Sequence, residues 1–297
     1  MRVFVTGGSG FIGSAVVRLL LKRGHEVLAL ARSKSAEDAL RYAGADVHRG
    51  DLEDRESLTR GASECDGAIH MGFIHDFTRF DEVCAVDRQV VEALGAAARG
   101  SARPLVVTSG TALVSPGRLA TEKDAMDVES SGFPRAATEA AALGLAAEGV
   151  RVSLVRLPPS VHGAGDHGFV PMLAELARRR GAAGYVGAGA NRWCAVHRED
   201  AAAVFVGALE RAVPGARYHA VAESEVRFKD LATVLGARLE VPVVSVPTEE
   251  AEAHFGWLAH FAALDCPAAS ASTRARLGWV PTHSTLLDDL ASRAYFG

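Results

Sequence analysis

The chain opens with a glycine-rich turn between a strand pattern and a helix pattern, in the segment VFVTGGSGFIGSAVVRLL at residues 3–20. Three glycines, Gly7, Gly10 and Gly13, stand at the turn. In such a turn the first glycine permits a tight bend, the second lets a pyrophosphate approach the backbone, and the third lets helix and strand pack closely. The first N–H groups of the helix have no partner within it and attract phosphate. The sequence therefore predicts a dinucleotide-binding loop.

Short apolar runs alternate with helix patterns through the first half of the chain. Most of these runs are continuously apolar, as expected for strands that are buried on both faces. Repeated strand–helix–strand units predict an α/β fold built on a Rossmann-type doubly wound parallel sheet. Strands are predicted at 2–6, 26–30, 45–49, 67–71, 104–109 and 151–157, and helices at about 11–23, 35–43, 54–62, 78–99 and 134–148.

The pattern changes after Leu157, where PPSVHGAGDHG forms a loop rich in proline, glycine and histidine. Beyond it the patterns are mixed, and they predict a dinucleotide-binding core at 1–157 and a smaller mixed α/β lobe at 158–297. We expect the lobe to bind substrate and to return some chain to the core. Its predicted elements are helices at 169–180, 197–212 and 227–239, a strand at 216–222, and short helices near 248–255 and 270–277.

Composition and charge exclude several classes of function. The 297 residues are 48% hydrophobic and 23% charged, as in an ordinary globular protein. A net charge of −4 without a long basic run argues against a nucleic-acid surface. No apolar stretch reaches the roughly 18 residues of a membrane span, and Met1 leads directly into a strand, which leaves no room for a signal peptide. Four scattered cysteines predict free thiols, a cytoplasmic location and no metal site.

The spacing G-x-x-G-x-x-G and four further segments resemble the extended, NAD-dependent epimerase/dehydratase-like branch of the short-chain dehydrogenase/reductase superfamily. The segments are GDLED at 50–54, AIHMGF at 68–73, RLPPSVHGAGD at 156–166 and WCAVHREDAA at 193–202. The resemblance covers nearly the whole chain and implies cofactor contacts from the glycine loop, strand ends and covering loop. The implied cofactor-binding residues are Gly7, Ser9, Gly10, Phe11, Ile12, Gly13, Asp51, Leu52, Met71, Gly72, Phe73, Thr108, Pro158, Ser160 and Val161.

The end of the second predicted strand, LALARSKS at 28–35, bears on the choice of dinucleotide. NAD-binding proteins usually place an acidic residue here, which accepts a hydrogen bond from the ribose 2′-hydroxyl. This chain has Arg32, Ser33 and Lys34, and a guanidinium can hold a phosphate through two parallel N–H bonds. We therefore predict NADP(H) rather than NAD(H). The alternative is a solvated basic turn in a protein that binds NAD(H) equally well.

The helix predicted at 134–148 departs from the family pattern. The resemblance implies a tyrosine that exchanges the substrate proton and, four residues later, a lysine that lowers its pKa and binds the nicotinamide ribose. In GFPRAATEAAALG at 132–144 these places hold Arg135 and Glu139, as in an atypical subgroup. Arginine cannot release its proton, so Arg135 can hold an oxyanion or carboxylate but cannot be the general acid. Glu139 can accept hydrogen bonds from ribose hydroxyls.

A purely structural explanation of this helix stays open. Arg135, Thr138 and Glu139 share one face, which could be a solvent stripe with an ion pair worth at most about 0.5 kcal/mol. The helix is otherwise apolar nearly all round, which makes a homodimer through it possible.

Other residues then have to supply the proton and hold the substrate oxygen. Histidine exchanges protons near neutral pH, and histidines occur in both segments expected to cover the cofactor. A hydroxyl at the end of the fifth strand can stabilise an oxyanion. The alternative is that the loop histidines are satisfied by backbone groups. The predicted catalytic residues are Thr111, Ser109, His75, Arg135 and His162.

These features favour an NADPH-dependent reductase of a carbonyl, enone or imine on a small, fairly apolar substrate. Hydride transfer belongs to the cofactor, and losing a general acid slows such a reaction by roughly 10²–10⁴-fold without forbidding it. Three alternatives stay open: an epimerase or dehydratase, a non-redox cyclase or isomerase on the same fold, and a non-catalytic NADP(H)-binding sensor.

Overall fold

Seven strands form a parallel sheet at the centre of the protein, as a computed structural model shows it. Each of the six predicted strands is present to within one residue of its predicted bounds, so the predicted fold class is confirmed. The strands are β1 Arg2–Thr6, β2 Glu26–Ala31, β3 Asp46–Arg49, β4 Gly67–His70, β5 Pro104–Gly110, β6 Arg151–Leu157 and β10 Arg217–His219. Their order is β3-β2-β1-β4-β5-β6-β10. The order reverses between β1 and β4, where α/β sheets bind ligands at their carboxyl ends.

The structure describes residues 1–297 except Ser115, 127–133, 293–294 and 296–297. The residues Gly132 and Phe133 of the atypical helix segment therefore lie outside the described residues. Within the described part of the chain, no helix is long and apolar enough to cross a membrane.

Helices cover both faces of the sheet because the side chains of each strand alternate between the faces. In β1, Val3 and Val5 join one apolar layer and Phe4 joins the other. The first layer contains α1 Phe11–Lys22, α2 Lys34–Tyr42 and α7 Arg198–Arg211, and the second contains α3 Arg55–Ser63, α4 Phe80–Ala98 and α5 Ala136–Ala147. This two-sided burial explains the continuously apolar strand patterns.

The chain after β6 builds a smaller lobe with its own apolar cluster. One small sheet consists of β7 Ser160–His162, β9 Arg192–His197 and β11 Glu223–Arg227, and the other of β8 Ala183–Val186 and β12 Val243–Val246. The helices of the lobe are α6 Phe169–Arg180, α8 Phe228–Leu239, α9 Ala251–Phe255, α10 Ala259–Ala263 and α12 Leu286–Ala291. The helix α11 Ala271–Leu277 packs instead against α7 and β10 of the core.

The lobe differs from the prediction mainly in its strands. The strand predicted at 216–222 ends at His219, and a second strand, β11, begins at Glu223. The five strands of the two small sheets were not predicted. The strands SVH and ESEVR, for example, lack the continuous apolar run that marks most strands of the large sheet. Since β10 pairs with β6 and α7 packs against α1, chain from beyond residue 157 lies against the large sheet. The division into 1–157 and 158–297 remains a prediction.

Candidate cofactor site and active site

The glycine loop lies at the carboxyl end of β1 and leads into α1. Gly7 has a φ of 71°, and a Cβ there would lie 2.6 Å from the backbone nitrogen of Gly72. A Cβ at Gly13 would lie 2.0 Å from the carbonyl oxygen of Gly7. Gly10 precedes α1 in extended backbone, and no described side chain caps the helix start. The first-turn N–H groups are therefore left for an anion, and the loop fits a pyrophosphate.

Residues that are distant in the sequence meet beside this loop. The Thr6 hydroxyl oxygen accepts hydrogen bonds from the backbone nitrogens of Met71 at 3.2 Å and Gly72 at 3.1 Å. The methyl carbons of Leu52 lie 3.1 and 3.2 Å from the position of a Cβ on Gly72. The predicted cofactor residues Gly7, Leu52, Met71 and Gly72 thus lie together at the carboxyl ends of β1 and β4.

The basic segment after β2 is exposed next to the start of α2. The Arg32 side chain is 74% exposed, and its Nε lies 3.8 Å from Asp51 Oδ2, too far for a hydrogen bond. Ser33 caps α2 by accepting a hydrogen bond from the Ala36 nitrogen at 3.1 Å. Lys34 pairs with Asp38 one turn later. Arg32 is therefore the basic side chain of this segment that is most available to a phosphate.

Arg135 and His75 both contact the Phe73 ring. The Arg135 guanidinium carbon is 4.0 Å from the centre of that ring, and the His75 ring packs edge-on at 5.5 Å between centroids. The His75 imidazole keeps an exposed edge, and its pKa is lowered from 6.5, first by desolvation and then by the charges of Arg135 and His167. The neutral imidazole is thus favoured beside a fixed guanidinium.

The covering loop at 163–168 lies over the start of α1. The ring of His167 packs edge-on against Phe11 at 5.8 Å between centroids. Asp166 accepts hydrogen bonds from the Gly168 nitrogen at 2.7 Å and from the Tyr295 hydroxyl. Desolvation and the Asp166 carboxylate raise the pKa of Tyr295, so this tyrosine is a poorer acid than an ordinary phenol. The covering loop therefore contacts the first turn of α1, which follows the glycine loop.

The face of α5 that carries Thr138 and Glu139 is not a solvent stripe. Both residues are only 2% exposed, so the structural explanation of a solvated helix face is wrong. The Glu139 carboxylate accepts hydrogen bonds from Ser109 Oγ at 2.7 Å, from Arg156 Nε at 3.1 Å and from Arg156 Nη2. Arg217 Nε lies 3.5 Å away. A ribose hydroxyl would have to compete with these donors for Glu139.

Arg156 is the buried partner of Glu139 and is fully enclosed, at 0% exposed. Its Nη1 donates to the Asp124 carbonyl oxygen at 2.9 Å and to His219 Nε2 at 3.2 Å. His219 in turn donates from Nδ1 to the Ala269 carbonyl oxygen at 2.8 Å, so its Nε2 is free to accept. Desolvation and the Arg156 charge lower the pKa of His219 and keep it neutral. The side-chain polar groups of Glu139, Arg156 and His219 are thereby hydrogen-bonded. The buried Nε of Arg217 is close to Glu139 but makes no hydrogen bond within the described residues.

A second buried network joins the end of β4 to α5. Two N–H groups already donate to the Thr6 hydroxyl oxygen, so its hydrogen points to His70 Nδ1 at 2.7 Å. His70 Nε2 then donates to Asp87 at 3.1 Å, and the Thr138 hydroxyl donates to the other Asp87 oxygen at 2.7 Å. Burial acts to raise the pKa of Asp87, but these hydrogen bonds and the Arg135 charge outweigh it and lower the pKa from 3.8. Asp87 is therefore a buried carboxylate.

The other predicted catalytic residues are buried and already engaged. Thr111 is 1% exposed, with its hydroxyl 3.3 Å from the Leu157 carbonyl oxygen and 3.2 Å from Cys194 Sγ. Ser109 donates to Glu139. His162 is 0% exposed, and its Nδ1 lies 2.6 Å from Asp289 Oδ2. Of the five candidates, only His75 and Arg135 are partly exposed and also contact Phe73, which follows Gly72 beside the glycine loop.

The remaining predicted cofactor residues lie on β5, on the glycine loop with the start of α1, and on the segment after β6. Thr108 donates to the His70 carbonyl oxygen at 2.7 Å, which ties β5 to β4. Pro158 and Ser160 are buried at the start of the covering segment and Val161 is half-buried, while Ser9 is exposed and Ile12 half-buried on the glycine loop and first turn of α1. Within the described residues, no group of three or more His, Cys, Asp or Glu is arranged to hold a metal ion.

Sequence reasoning missed His70 and Arg156 as members of the site. Both are polar side chains inside buried strands, at the ends of GAIH and RVSLVRL. A polar or charged side chain inside a buried strand needs a hydrogen-bonding partner. His70 and Arg156 therefore indicated a buried network, although the sequence did not show which residues would be their partners.

Comparison with known proteins agrees with the fold and the glycine loop. A profile of the "NAD dependent epimerase/dehydratase family" matches residues 3–221. An uncharacterized protein of Schizosaccharomyces pombe is 51% identical over 297 residues, which is 100% of both chains. A 2-alkyl-3-oxoalkanoate reductase of Stenotrophomonas maltophilia is 34% identical over 229 residues, 73% of this chain and 67% of the relative.

Among solved structures, the dTDP-glucose 4,6-dehydratase DesIV of Streptomyces venezuelae, with NAD and TYD bound, superposes with a TM-score of 0.75 at 23% identity, over 98% of this chain and 95% of DesIV. At this identity the likeness concerns the fold. The matched family is NAD-dependent, and the glycine loop remains the predicted binding site for the dinucleotide. By its sequence and its fold, the chain belongs to the NAD-dependent epimerase/dehydratase family.

Proposed function

We propose that this protein is an NADPH-dependent reductase of a carbonyl group, in particular a ketone, on a small, mainly apolar substrate. The observation that carries the proposal is the group of Arg135, Phe73 and His75, which holds a cation and a proton-exchanging imidazole on one aromatic ring. Phe73 directly follows Gly72, whose backbone lies against Gly7 of the glycine loop. The name of the Stenotrophomonas relative, a 3-oxoalkanoate reductase, supports ketone reduction. Reduction of an enone or an imine would use the same cation and the same proton donor.

The exposed guanidinium of Arg32 supports NADP(H) as the cofactor. It follows the strand that ends beside the adenine ribose in this fold class, and it can hold a 2′-phosphate through two N–H bonds. Ser33 orders the start of α2, whose N–H groups favour the same anion. When bound, NADPH supplies the hydride.

Arg135 stabilises the oxygen of the substrate as negative charge develops on it. Its guanidinium already lies over the Phe73 ring, so little reorganisation is needed during the reaction. It keeps its own proton, so it acts by charge and hydrogen bonding alone. A substrate carboxylate would be held in the same way.

His75 delivers the proton to that oxygen. It is the predicted acid that keeps exposure beside Arg135, and its lowered pKa makes the imidazolium a stronger acid than an ordinary histidine. The same shift reduces the protonated fraction at neutral pH. The reaction is therefore expected to run faster below pH 6.5 than above it.

The buried His70–Asp87 network fixes both the backbone beside the glycine loop and the helix that follows Arg135. On one side it fixes the backbone of Met71 and Gly72 through Thr6, and on the other it fixes Thr138, one turn after Arg135. Glu139 and Arg156 anchor the same helix to β6. We assign these residues to positioning. The four cysteines are free and buried, which supports a cytoplasmic location, and a homodimer through α5 remains a prediction.

The test is absorbance at the NADPH band with purified protein and a panel of ketones, aldehydes and cyclic imines. We expect oxidation of NADPH with at least one apolar ketone and its loss in Arg135→Ala. Arg179→Ala is the matched control, because that exposed residue lies at the end of α6. Tight NADPH binding without oxidation across the panel would instead support the non-catalytic sensor, to which the absence of the family's tyrosine and lysine also points.

A further inference from the structure

Three aromatic side chains of the lobe, Phe169, Trp257 and Phe261, form a contiguous surface, which we name the aromatic platform. The rings of Phe169 and Phe261 lie 4.5 Å apart between centroids. Trp257 lies 6.2 Å from each of them. Beneath the platform Trp193 packs against Phe169 at 6.0 Å and is itself 1% exposed. The platform is thus rigidly supported from below.

The outer ring of the platform is turned toward solvent. Trp257 is 53% exposed, whereas Phe169 and Phe261 are half-buried. Large aromatic side chains gain free energy when they are buried, so the exposed ring of Trp257 offers apolar area to a ligand.

The platform adjoins the covering loop of the proposed active site. Phe169 directly follows the covering loop, whose His167 packs on Phe11 at the start of α1. The same loop is tied to the lobe by the hydrogen bond from Tyr295 to Asp166, and Tyr295 belongs to the apolar cluster of the platform. From the other side, Ala112, which follows the end of β5, packs against this cluster.

We propose that the aromatic platform binds a flat aromatic part of the substrate, while its carbonyl group lies beside Arg135. This inference rests on the proposed reductase function and names its substrate class, aryl ketones. Flat rings match the platform because aromatic pairs gain from offset or edge-on stacking beyond area burial. A protein partner fits less well, since a stable interface covers about 800 Å² per side and three partly buried aromatic residues fall well below that.

The test compares two ketones of equal carbon number, 2-acetylnaphthalene and 2-dodecanone. Binding to the NADPH complex is measured by calorimetry, and turnover by NADPH absorbance, for the parent, Trp257→Ala and Trp257→Phe. Tyr42→Ala serves as the control, because Tyr42 is an aromatic residue 96% exposed at the end of α2. Circular dichroism and the NADPH Kd verify that each variant is folded.

We expect Trp257→Ala to weaken 2-acetylnaphthalene binding about 10-fold and 2-dodecanone binding less than about 2-fold, with Trp257→Phe close to the parent. Equal losses for both ketones, no loss, or no binding of 2-acetylnaphthalene by the parent overturns the platform. Trp257-dependent binding of 2-acetylnaphthalene without NADPH oxidation keeps the platform and overturns the reductase.

Discussion

Removing the Glu139 carboxylate is the sharpest test of how α5 is held. In Glu139→Ala the guanidinium of Arg156 loses its ion pair while it stays fully enclosed. The Asp124 carbonyl oxygen and His219 Nε2 remain as acceptors, but neither carries the opposing charge. The variant therefore leaves a buried, uncompensated cation.

The size of the effect follows from this burial. Breaking a buried ion pair by deleting one partner costs about 3–5 kcal/mol, against a total stability of roughly 5–15 kcal/mol. Ser109 also loses its acceptor. For a chain of this size, 1 kcal/mol shifts the Tm by roughly 2–4 °C, so we expect a decrease of about 10 °C.

A control on the same helix separates this effect from a general effect of removing a glutamate. Glu148 follows the last turn of α5 and pairs with Arg99 at 2.6 Å, but the two side chains are 55% and 53% exposed. Such a pair contributes about 0–1 kcal/mol, so Glu148→Ala should shift the Tm by no more than about 3 °C. Thermal and urea unfolding of both variants, followed by circular dichroism, give the comparison.

The second half of the experiment replaces both partners. Glu139→Leu with Arg156→Met removes both charges from the interior and should recover most of the lost stability. Equal Tm values for Glu139→Ala and Glu148→Ala would refute the buried ion pair. A stable Glu139→Ala variant with weakened NADPH binding would show instead that the carboxylate serves the ribose.

Three further predictions concern the cofactor, the proton and the second network. Arg32→Asp should lower the preference for NADPH over NADH roughly 10–100-fold, the worth of one or two charged hydrogen bonds; equal Kd values for both cofactors in the parent would contradict it. In His75→Gln, the fall in turnover that the parent shows as pH rises through a pKa below 6.5 should disappear; an unchanged pH profile would mean that water or another group donates. Asp87→Asn should lower the unfolding free energy by about 1–3 kcal/mol at pH 7. Since the pKa of Asp87 is lowered in the fold, this difference should shrink only as the pH falls below about 3.9, and a constant difference down to pH 2 would contradict it.

The features that sequence predicts well here are local ones. The roles of Gly7, Gly10 and Gly13 are predictable because each glycine is required by the turn in which it lies. The strands of the large sheet are predictable because burial on both faces leaves a continuous apolar run. Arg32 could likewise be placed at a strand end from its position alone. Strands of the lobe such as SVH and ESEVR carry no continuous apolar run, so this signal does not mark them.

The partners of α5 could not be predicted, because they lie far away in the chain. Glu139 meets Arg156 on β6 and Arg217 on β10, and Thr138 meets Asp87 on α4. Spacing along a helix shows that side chains share a face, but it does not show whether that face meets water or a buried arginine. The solvent-stripe explanation was wrong for this reason.

These partners also constrain how the family's acid pair could be restored. Arg135→Tyr with Glu139→Lys would recreate the tyrosine and lysine that the family pattern implies, yet the new ammonium would lie where a 2% exposed carboxylate now faces Arg156 and Arg217. Two like charges would then be buried together, so we expect this double variant to unfold at a lower temperature than Glu139→Ala. Adding Arg156→Met should raise its Tm again. A double variant as stable as the parent would show that Arg156 does not require the carboxylate and that the atypical helix could return to the common pattern unaided.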